Sequence, residues 1–314
     1  SYNYEDGLLP NNDYNRKALR SNTDAKINDW LSAGLNLDIR RTVFTNPTAG
    51  AADLINCALT YTPVFGGINS DGTWGNGQNG YNPIALAREG GKSISDNNDL
   101  SVMGSLKANP LKGLELLVSY ASRKYENKTD TYQGTYDTYE AGSYIMTYPT
   151  TGTARSESWL RMINNQLNAQ ITYENTFNKK HYFKGFLGIQ TEETLNKNMG
   201  AGRKSFYYKG YEELDNGDAS SATATGSKSE FAMMSYIARF NYAFADRYLI
   251  ELTGRYDGSS RFTKDNRWGF FPAASVGWRI SEEPFFESLK TKISNLKLRA
   301  SYGTLGNQEI SGYY

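Results

Sequence analysis

The stretch Leu31-Ser32-Ala33-Gly34-Leu35-Asn36-Leu37-Asp38-Ile39-Arg40 decides the fold. Leu31, Ala33, Leu35, Leu37 and Ile39 take every second place, and Ser32, Asn36, Asp38 and Arg40 fall between them. Successive side chains of a strand point to opposite sides of a sheet, so this period of two makes a ribbon with one greasy and one wet side. Leu100, Val102, Leu106 and Ala108 repeat the pattern against Ser101, Ser105, Lys107 and Asn109. From Leu114, the residues Leu116, Val118 and Tyr120 oppose Glu115, Ser119 and Arg123, with Leu117 breaking the alternation.

The same reading continues along the chain. Ile163, Leu167, Ala169, Ile171 and Tyr173 alternate with Asn164, Gln166, Asn168, Gln170 and Glu174, although Arg161 and Asn165 fall on the apolar side. Phe183, Leu187 and Ile189 oppose Lys184, Gln190 and Glu192, and Met234, Tyr236, Ala238, Phe240 and Tyr242 oppose Arg239 and Asn241. Tyr248, Ile250, Leu252 and Tyr256 oppose Glu251, Thr253, Arg255 and Asp257. Ala274, Val276, Trp278 and Ile280 oppose Ser275 and Arg279, and Leu296, Leu298, Ala300 and Tyr302 oppose Lys297, Arg299 and Ser301. A weaker strand at 13–27, with Leu19, Thr23, Ala25 and Ile27 against Arg20, Asp24 and Lys26, brings the expectation to about ten strands.

The connections set the architecture. Short turns are expected at Asn28 and Asp29, at Pro110 to Gly113, at Asn175 to Lys180 and at Ala245 and Asp246. Long polar loops are expected at 41–98, 125–157 and 193–228, so one end of the sheet is trimmed and the other elaborated. Outer-membrane barrels have this asymmetry, with tight periplasmic turns and longer extracellular loops. A strand of ~11 residues tilted about 40° covers ~28 Å, enough for their ~25 Å apolar band. Trp30, Tyr173, Phe177, Phe183, Tyr242, Phe244 and Tyr248 lie near the short turns, where amphipathic rings suit a lipid headgroup boundary. A soluble antiparallel sheet with one buried face gives the same alternation and stays open as an alternative, as do an autonomous barrel acting as a porin or enzyme and a soluble carbohydrate-binding sheet.

Composition narrows the chemistry. The 314 residues carry Lys+Arg 34 and Asp+Glu 33, a net charge of +1, so no overall field points to nucleic acid. Aromatic residues make up 14%, with Tyr 24, Gly 30 and only 8 Pro, a composition that suits strands and polar loops. Apolar runs are far under the ~18 residues of a membrane helix. One cysteine, Cys57, forbids an intrachain disulfide, and one histidine, His181, forbids a site needing two. His181 beside a short turn suits a surface role better than a catalytic triad, and Cys57 suits a small, partly buried residue better than a nucleophile. No catalytic, cofactor or phosphate motif is present, and Asp71, Asp215 and Asp218 lack the pattern of a calcium loop. The start carries no initiating Met and no signal-peptide pattern, which reads as a mature protein or an interior piece.

Three segments suggest local roles. Ser281 to Leu289 reads as a short helix capped by Ser281, with Pro284 early and Phe285, Phe286 and Leu289 on one apolar face. The loop Gly66 to Tyr81, GGINSDGTWGNGQNGY, offers Trp74, Asn76, Asn79 and Tyr81 as candidate ligand contacts, because rings stack on pyranoses and amides match hydroxyls; a mobile surface loop is the competing reading. In DGSSRF, Asp257 and Arg261, with Arg255 just before, are further ligand candidates, against a hairpin closed by Asp257 and Gly258 with local ion pairs.

A resemblance covers nearly the whole chain. The run Asp246-Arg247-Tyr248-Leu249, Arg255 and Tyr256, DGSSRF (257–262), NRWGFFPAASVGWRISEE (266–283) and LKLRASYGTLGNQEISGYY (296–314) resemble the barrel of the SusC/RagA family of TonB-dependent outer-membrane transporters. DYNRKALRSNTDAKINDWLSAGLNL (13–37) and the loop with Pro63, Val64, Asn82, Pro83 and Ala85 are similar to that family's more N-terminal barrel region. The resemblance implies an all-β fold, an antiparallel transmembrane β-barrel of which residues 1–314 supply about ten strands of twenty-two, with no plug domain in this stretch. It also implies energised import, without a cofactor, of a nutrient such as an oligosaccharide or a peptide. The implied partners are a SusD-like surface lipoprotein, the TonB complex acting through an N-terminal part, and outer-membrane lipid.

Overall fold

The computed structural model describes residues 1–208 and 211–308; Glu309 to Tyr314, the end of the last phrase above, lie outside the described residues, as do Lys209 and Gly210 of the third long loop. In chain order the elements are β1 (Tyr2–Asp6), β2 (Asp13–Lys26), β3 (Leu31–Pro47), α1 (Ala51–Thr60), β4 (Trp74–Gly75), α2 (Pro83–Glu89), β5 (Gly91–Leu111), β6 (Leu114–Gln133), β7 (Tyr136–Glu140), β8 (Ser143–Tyr148), β9 (Ala154–Phe177), β10 (His181–Lys204), β11 (Thr223–Phe244), β12 (Tyr248–Ser259), β13 (Trp268–Arg279) and β14 (Lys297–Gly303).

Eleven strands form one antiparallel meander in the order β1-β2-β3-β5-β6-β9-β10-β11-β12-β13-β14. All ten expected strands are there, and β1, too short and polar to show a period, is added at one edge. Cross-strand register puts like with like: Val118 faces Ala169, Leu187 faces Ala238, and Ile250 faces Val276. Among the described residues, nothing packs over the middle of the resulting apolar side. Leu35, Val118, Leu167, Ile250 and Val276 are 52%, 46%, 40%, 42% and 55% exposed, so they are not the core of a globule. A soluble sheet would bury such a face; one that stays bare over the ten strands from β2 to β14 of this sheet needs an apolar solvent.

The long loops are shorter than the sequence pattern suggests. β3 runs to Pro47 and β5 starts at Gly91, β6 runs to Gln133 and β9 starts at Ala154, and β10 runs to Lys204 while β11 starts at Thr223. β9 and β10 have 24 residues each, about twice the ~9–11 that cross a membrane, so their upper halves project beyond the apolar band. There polar side chains occupy both faces of the ribbon, and loops pack on part of it, as Phe206 does on Tyr132. The hydropathy alternation disappears while the hydrogen-bond ladder continues, which is why residues 41–47, 91–98, 125–133, 154–157, 193–204 and 223–228 read as loop.

Two aromatic rings bound the apolar band. At the trimmed end Phe244 stacks on Tyr248 at 6.4 Å, and Phe183 meets Tyr173 at 6.2 Å and Phe240 at 5.1 Å. At the other end, unforeseen in the sequence, Trp268 stacks on Tyr256 at 4.9 Å and Tyr236 at 6.0 Å. From Tyr248 to Tyr256 the strand climbs ~27 Å, or ~21 Å along the normal at ~40° tilt, close to the expected band height. His181 sits at the trimmed end, its Nδ1 2.8 Å from the Tyr242 hydroxyl and its ring 5.0 Å from Phe244.

The opposite face is polar and self-paired. Arg20 bonds Asp38 at 2.8 Å, Lys184 lies 3.1 Å from Glu174, and Lys107 lies 2.6 Å from Glu115. Asp99, its side chain only 9% exposed, receives Arg40 at 2.7 Å and both Nε and Nη2 of Arg123 at 2.9 and 2.7 Å. Leu117, which interrupts the alternation, turns to this inner face beside Lys107 in register. Asn165 stays on the outer face and accepts from the Ser122 hydroxyl at 2.8 Å, so its polar group has a partner across the strand.

The expected helix at 281–289 takes a different form. Ile280–Glu282 and Pro284–Leu289 are 3-10 turns, and Ser281 is buried with no capping bond. Pro284 and the adjoining bend favour the tighter winding. Only Phe286 packs inward, whereas Phe285 and Leu289 are exposed. Glu283 ties the segment down instead: its carboxylate accepts from the Trp278 indole at 2.9 Å and from Arg247 at 3.0 Å.

Candidate functional site

Both sets of candidate residues lie at the elaborated end, in two separate environments. The first is a small cap built from the loops around 48–90 and 134–153, with α1, α2 and a three-stranded sheet, β4-β7-β8. The sequence pattern predicts loop over this stretch. The signal for α2 was present in Asn82-Pro83: Asn accepts from the first free N–H groups of a helix and Pro fits its first position. Asn82 Oδ1 accepts from the N–H groups of Ile84 and Ala85 at 3.1 and 3.2 Å, and its amide donates to the carbonyls of Gly67 and Gly75 at 2.6 and 3.0 Å.

Around Asn82 the cap has a dry core of Leu54, Ala85, Leu86, Ala87 and Tyr136. The Tyr136 hydroxyl donates to the Gly80 carbonyl at 3.0 Å, and burial pushes its pKa up. Trp74 and Tyr81 pack against this core from its edge. Tyr81 meets Tyr148 edge-on at 5.6 Å, and burial next to the Cys57 thiol pushes its pKa up to about 12. Asn76 accepts from the Thr138 hydroxyl at 3.1 Å. Only Asn79, with φ at +54°, stands in the open. Trp74, Asn76 and Tyr81 therefore hold the cap together with part of their surface left outward. Cys57 lies on α1 rather than in a loop, and burial raises its thiol pKa, which keeps it a thiol.

Arg255 and Asp257 belong to the second environment, on the inner face. A cavity of about 600 Å³ opens there between β11, β12, β13 and residues 305–308, lined by Arg255, Asp257, Arg267, Phe271 and Asn307 among others. Arg255 Nε lies 2.7 Å from both oxygens of Asp257, and its Nη2 donates to the buried Ser235 hydroxyl at 3.0 Å. Arg261 stands apart from the cavity lining, over the Phe231 ring at 5.0 Å, and donates to the Gln308 carbonyl at 3.3 Å. The hairpin does not close at Asp257 and Gly258. Both pair within the sheet, Asp257 with Gly269 and Gly258 with Trp268, and the loop spans 260–267. Turn-forming Asp-Gly is overridden here by the ladder on both sides.

Tyr207, Tyr208 and Tyr211 were missed by sequence reasoning. They are largely exposed on the loop after β10, which Phe206 anchors by burying its ring edge-on to Tyr132 at 6.0 Å and which Arg155 holds through the Glu212 carbonyl. Asp71, Asp215 and Asp218 are engaged locally: Asp71 accepts from Thr73, Asp218 from Ser220, and Asp215 lies 3.7 Å from Arg203.

The family description "TonB dependent receptor-like, beta-barrel" matches residues 2–313. TonB-dependent receptor P3 of Formosa agariphila is 28% identical over the whole of this chain and 31% of its own length. TonB-dependent receptor SusC of Bacteroides thetaiotaomicron is 39% identical over 120 residues, 36% of this chain and 12% of that protein. Among solved structures, the RagAB peptide transporter superposes with a TM-score of 0.76 at 23% identity, over 96% of this chain and 34% of that one, which is a likeness of fold. The chain spans about a third, 31%, of the length of receptor P3, which it matches from end to end of its own sequence. Its exposed apolar side, charged inner side and trimmed turns are those of a barrel wall, and the chain belongs to the TonB-dependent receptor-like β-barrel family.

Proposed function

We propose that residues 1–314 are part of the barrel domain of an outer-membrane importer, one that takes up an oligosaccharide or a peptide with energy delivered through TonB. One observation carries the reading: the ten neighbouring strands from β2 to β14 in one sheet keep an apolar side bare and a largely self-paired charged side opposite it, in a chain whose family match runs from 2 to 313. In this reading the wall lies in lipid, the inner face meets water and a plug contributed by another part of the protein, and a SusD-like lipoprotein closes over the cap. Substrate is held noncovalently between these parts. Asn79 and the outward parts of Trp74 and Tyr81 contribute from the cap, Tyr207, Tyr208 and Tyr211 from the neighbouring loop, and Arg255 and Asp257 from below.

Rings supply area to either substrate class, and the Arg255-Asp257 pair offers donors and acceptors at the mouth of an inner-face cavity. The test is binding of oligosaccharide and peptide panels by the full-length protein with its lipoprotein. Tight binding of one class, lost in Tyr207→Ala/Tyr208→Ala, is the expected result. Passive, energy-independent flux of small solutes of every kind through the pure protein would support a porin instead.

A further inference from the structure

The upper parts of five strands carry their charge on one side only. In residues 91–98 of β5, 126–133 of β6, 154–161 of β9, 194–203 of β10 and 223–230 of β11, every Asp, Glu, Lys and Arg takes an outward position, on the side that bears Val118 and Leu187 lower down. Ser, Thr and Asn dominate the inward positions. Register sets Ser95, Thr129, Ser158, Gly200 and Thr225 in line across the five strands, and Ser93, Thr131, Ser156, Gly202 and Thr223 in the line above. In the line below stand Asn97, Asn127, Leu160, Asn198 and Ser227. Water solvates charged and uncharged polar groups on either face, so solvation alone does not sort them by side.

Two further observations single out the half formed by β9, β10 and β11. Gly200 and Gly202 interrupt β10, yet its pairing on both sides runs past them without a register shift. Glycine weakens a strand interior, and away from a bulge it marks the close approach of a ligand or another backbone. A Cβ at Gly200 would meet Thr225 Oγ1 at 2.9 Å, so the glycine leaves a low floor between Ser158 and Thr225. Around that floor the polar groups are free: Ser156, Ser158, Asn196 and Thr225 form no side-chain hydrogen bond among the described residues. On the β5 and β6 side, by contrast, Ser93 bonds Thr131 at 2.8 Å and Ser95 bonds Thr129 at 3.0 Å. Met162, across from Asn196, and Leu160 beside it add a short apolar strip.

We propose that this inward surface is a specificity-determining contact for an uncharged oligosaccharide. Hydroxyl and amide groups both donate and accept, as sugar hydroxyls do, and Leu160 and Met162 match the C–H faces of the rings. An acidic sugar or the charged groups of a peptide would lie against a surface without countercharge, where losing water from an ion is costly. Four strand spacings of ~4.8 Å and two pleat repeats of ~6.8 Å make the surface about 19 Å by about 14 Å, room for several sugar units. Charge returns only at its margins, in the cluster of Asp99, Arg40 and Arg123 below and at Lys204 above. The inference deepens the importer reading given above and rests on it.

The test is isothermal titration of the full-length protein, with its lipoprotein, by neutral malto-, xylo- and manno-oligosaccharides, by oligogalacturonates and by peptides. Two triple variants are compared: Ser158→Ala/Asn196→Leu/Thr225→Val on the inward face, and Lys128→Gln/Lys197→Gln/Lys228→Gln on the outward face of the same strands. The inward three hold no other side chain, so their replacement should leave thermal unfolding unchanged. A neutral oligosaccharide should bind tightest, the inward variant should bind it about tenfold or more weakly, and the outward variant should match wild type. Tightest binding of oligogalacturonate or peptide, equal binding of the neutral ligand by wild type and the inward variant, or equal weakening by the outward variant would overturn the inference and leave the importer standing. Saturable binding of none of these ligands, with passive flux of small solutes, would remove the importer reading itself.

Discussion

The wall and the cap bury apolar side chains in opposite ways. In the wall, Leu35, Val118 and Val276 stand open on one side of a single sheet with none of the described residues packed over them. In the cap, Leu54 and Tyr136 are each 2% exposed, closed in by two short helices and a three-stranded sheet. The lesson is that burial has two partners in this chain. The cap makes its own interior, and the wall relies on its surroundings.

The comparison breaks most readily at the wall. Val276→Arg places a charge mid-band on the outward side and should destabilise the membrane-inserted full-length protein by about 2–4 kcal/mol, whereas Ser275→Arg, one residue earlier and on the inner side, should shift it by no more than ~0.5. Denaturant unfolding from bilayers reads both, and equal effects would erase the distinction between faces. In the cap, Asn82→Ala removes an N-cap and strips the Gly67 and Gly75 carbonyls of their donors, a loss of about 2 kcal/mol. It should open residues 51–90 to hydrogen exchange while 100–125 stays protected. Tyr136→Phe keeps the ring and loses the bond to Gly80, which should cost about 1 kcal/mol with the same local pattern.

The smallest effect lies at the trimmed end. Hydrogen bonds from Trp278, then from Tyr248 and Arg247, hold the Glu283 carboxyl below its ordinary value. A carboxylate with a depressed folded pKa stabilises fully above its unfolded value near ~4.3 and loses that contribution as pH falls through the depressed one. Residues 280–289 should therefore stay docked at about pH 5 and loosen only below about pH 4. Glu283→Gln should flatten this dependence in a pH series of hydrogen exchange.

What could be read from the sequence follows the same division. Strands such as Leu31 to Arg40 were legible because lipid on one side and water on the other impose a period of two. Residues 125–133 and 193–204 continue their strands with mostly polar side chains on both faces, so no alternation of apolar and polar residues records the ladder. In the cap, Asn82-Pro83 announced α2, but α1 and β7–β8 depend on meeting Leu86 and Tyr136 from distant stretches. Of the candidate contacts, the Arg255-Asp257 pairing could be expected from i, i+2 placement on one strand face, whereas the packing of Trp74 and Tyr81 could not.

The central claim is that the bare side of the sheet faces lipid. Single spin labels at 249, 250, 251 and 252 of the full-length protein, with Cys57→Ser removing the native thiol, report oxygen from the bilayer and a nickel chelate from water. Labels at Ile250 and Leu252 should collide mainly with oxygen, and labels at Leu249 and Glu251 mainly with the chelate. Exclusion of both reagents at Ile250 and Leu252 would place them in a protein interior and contradict the account.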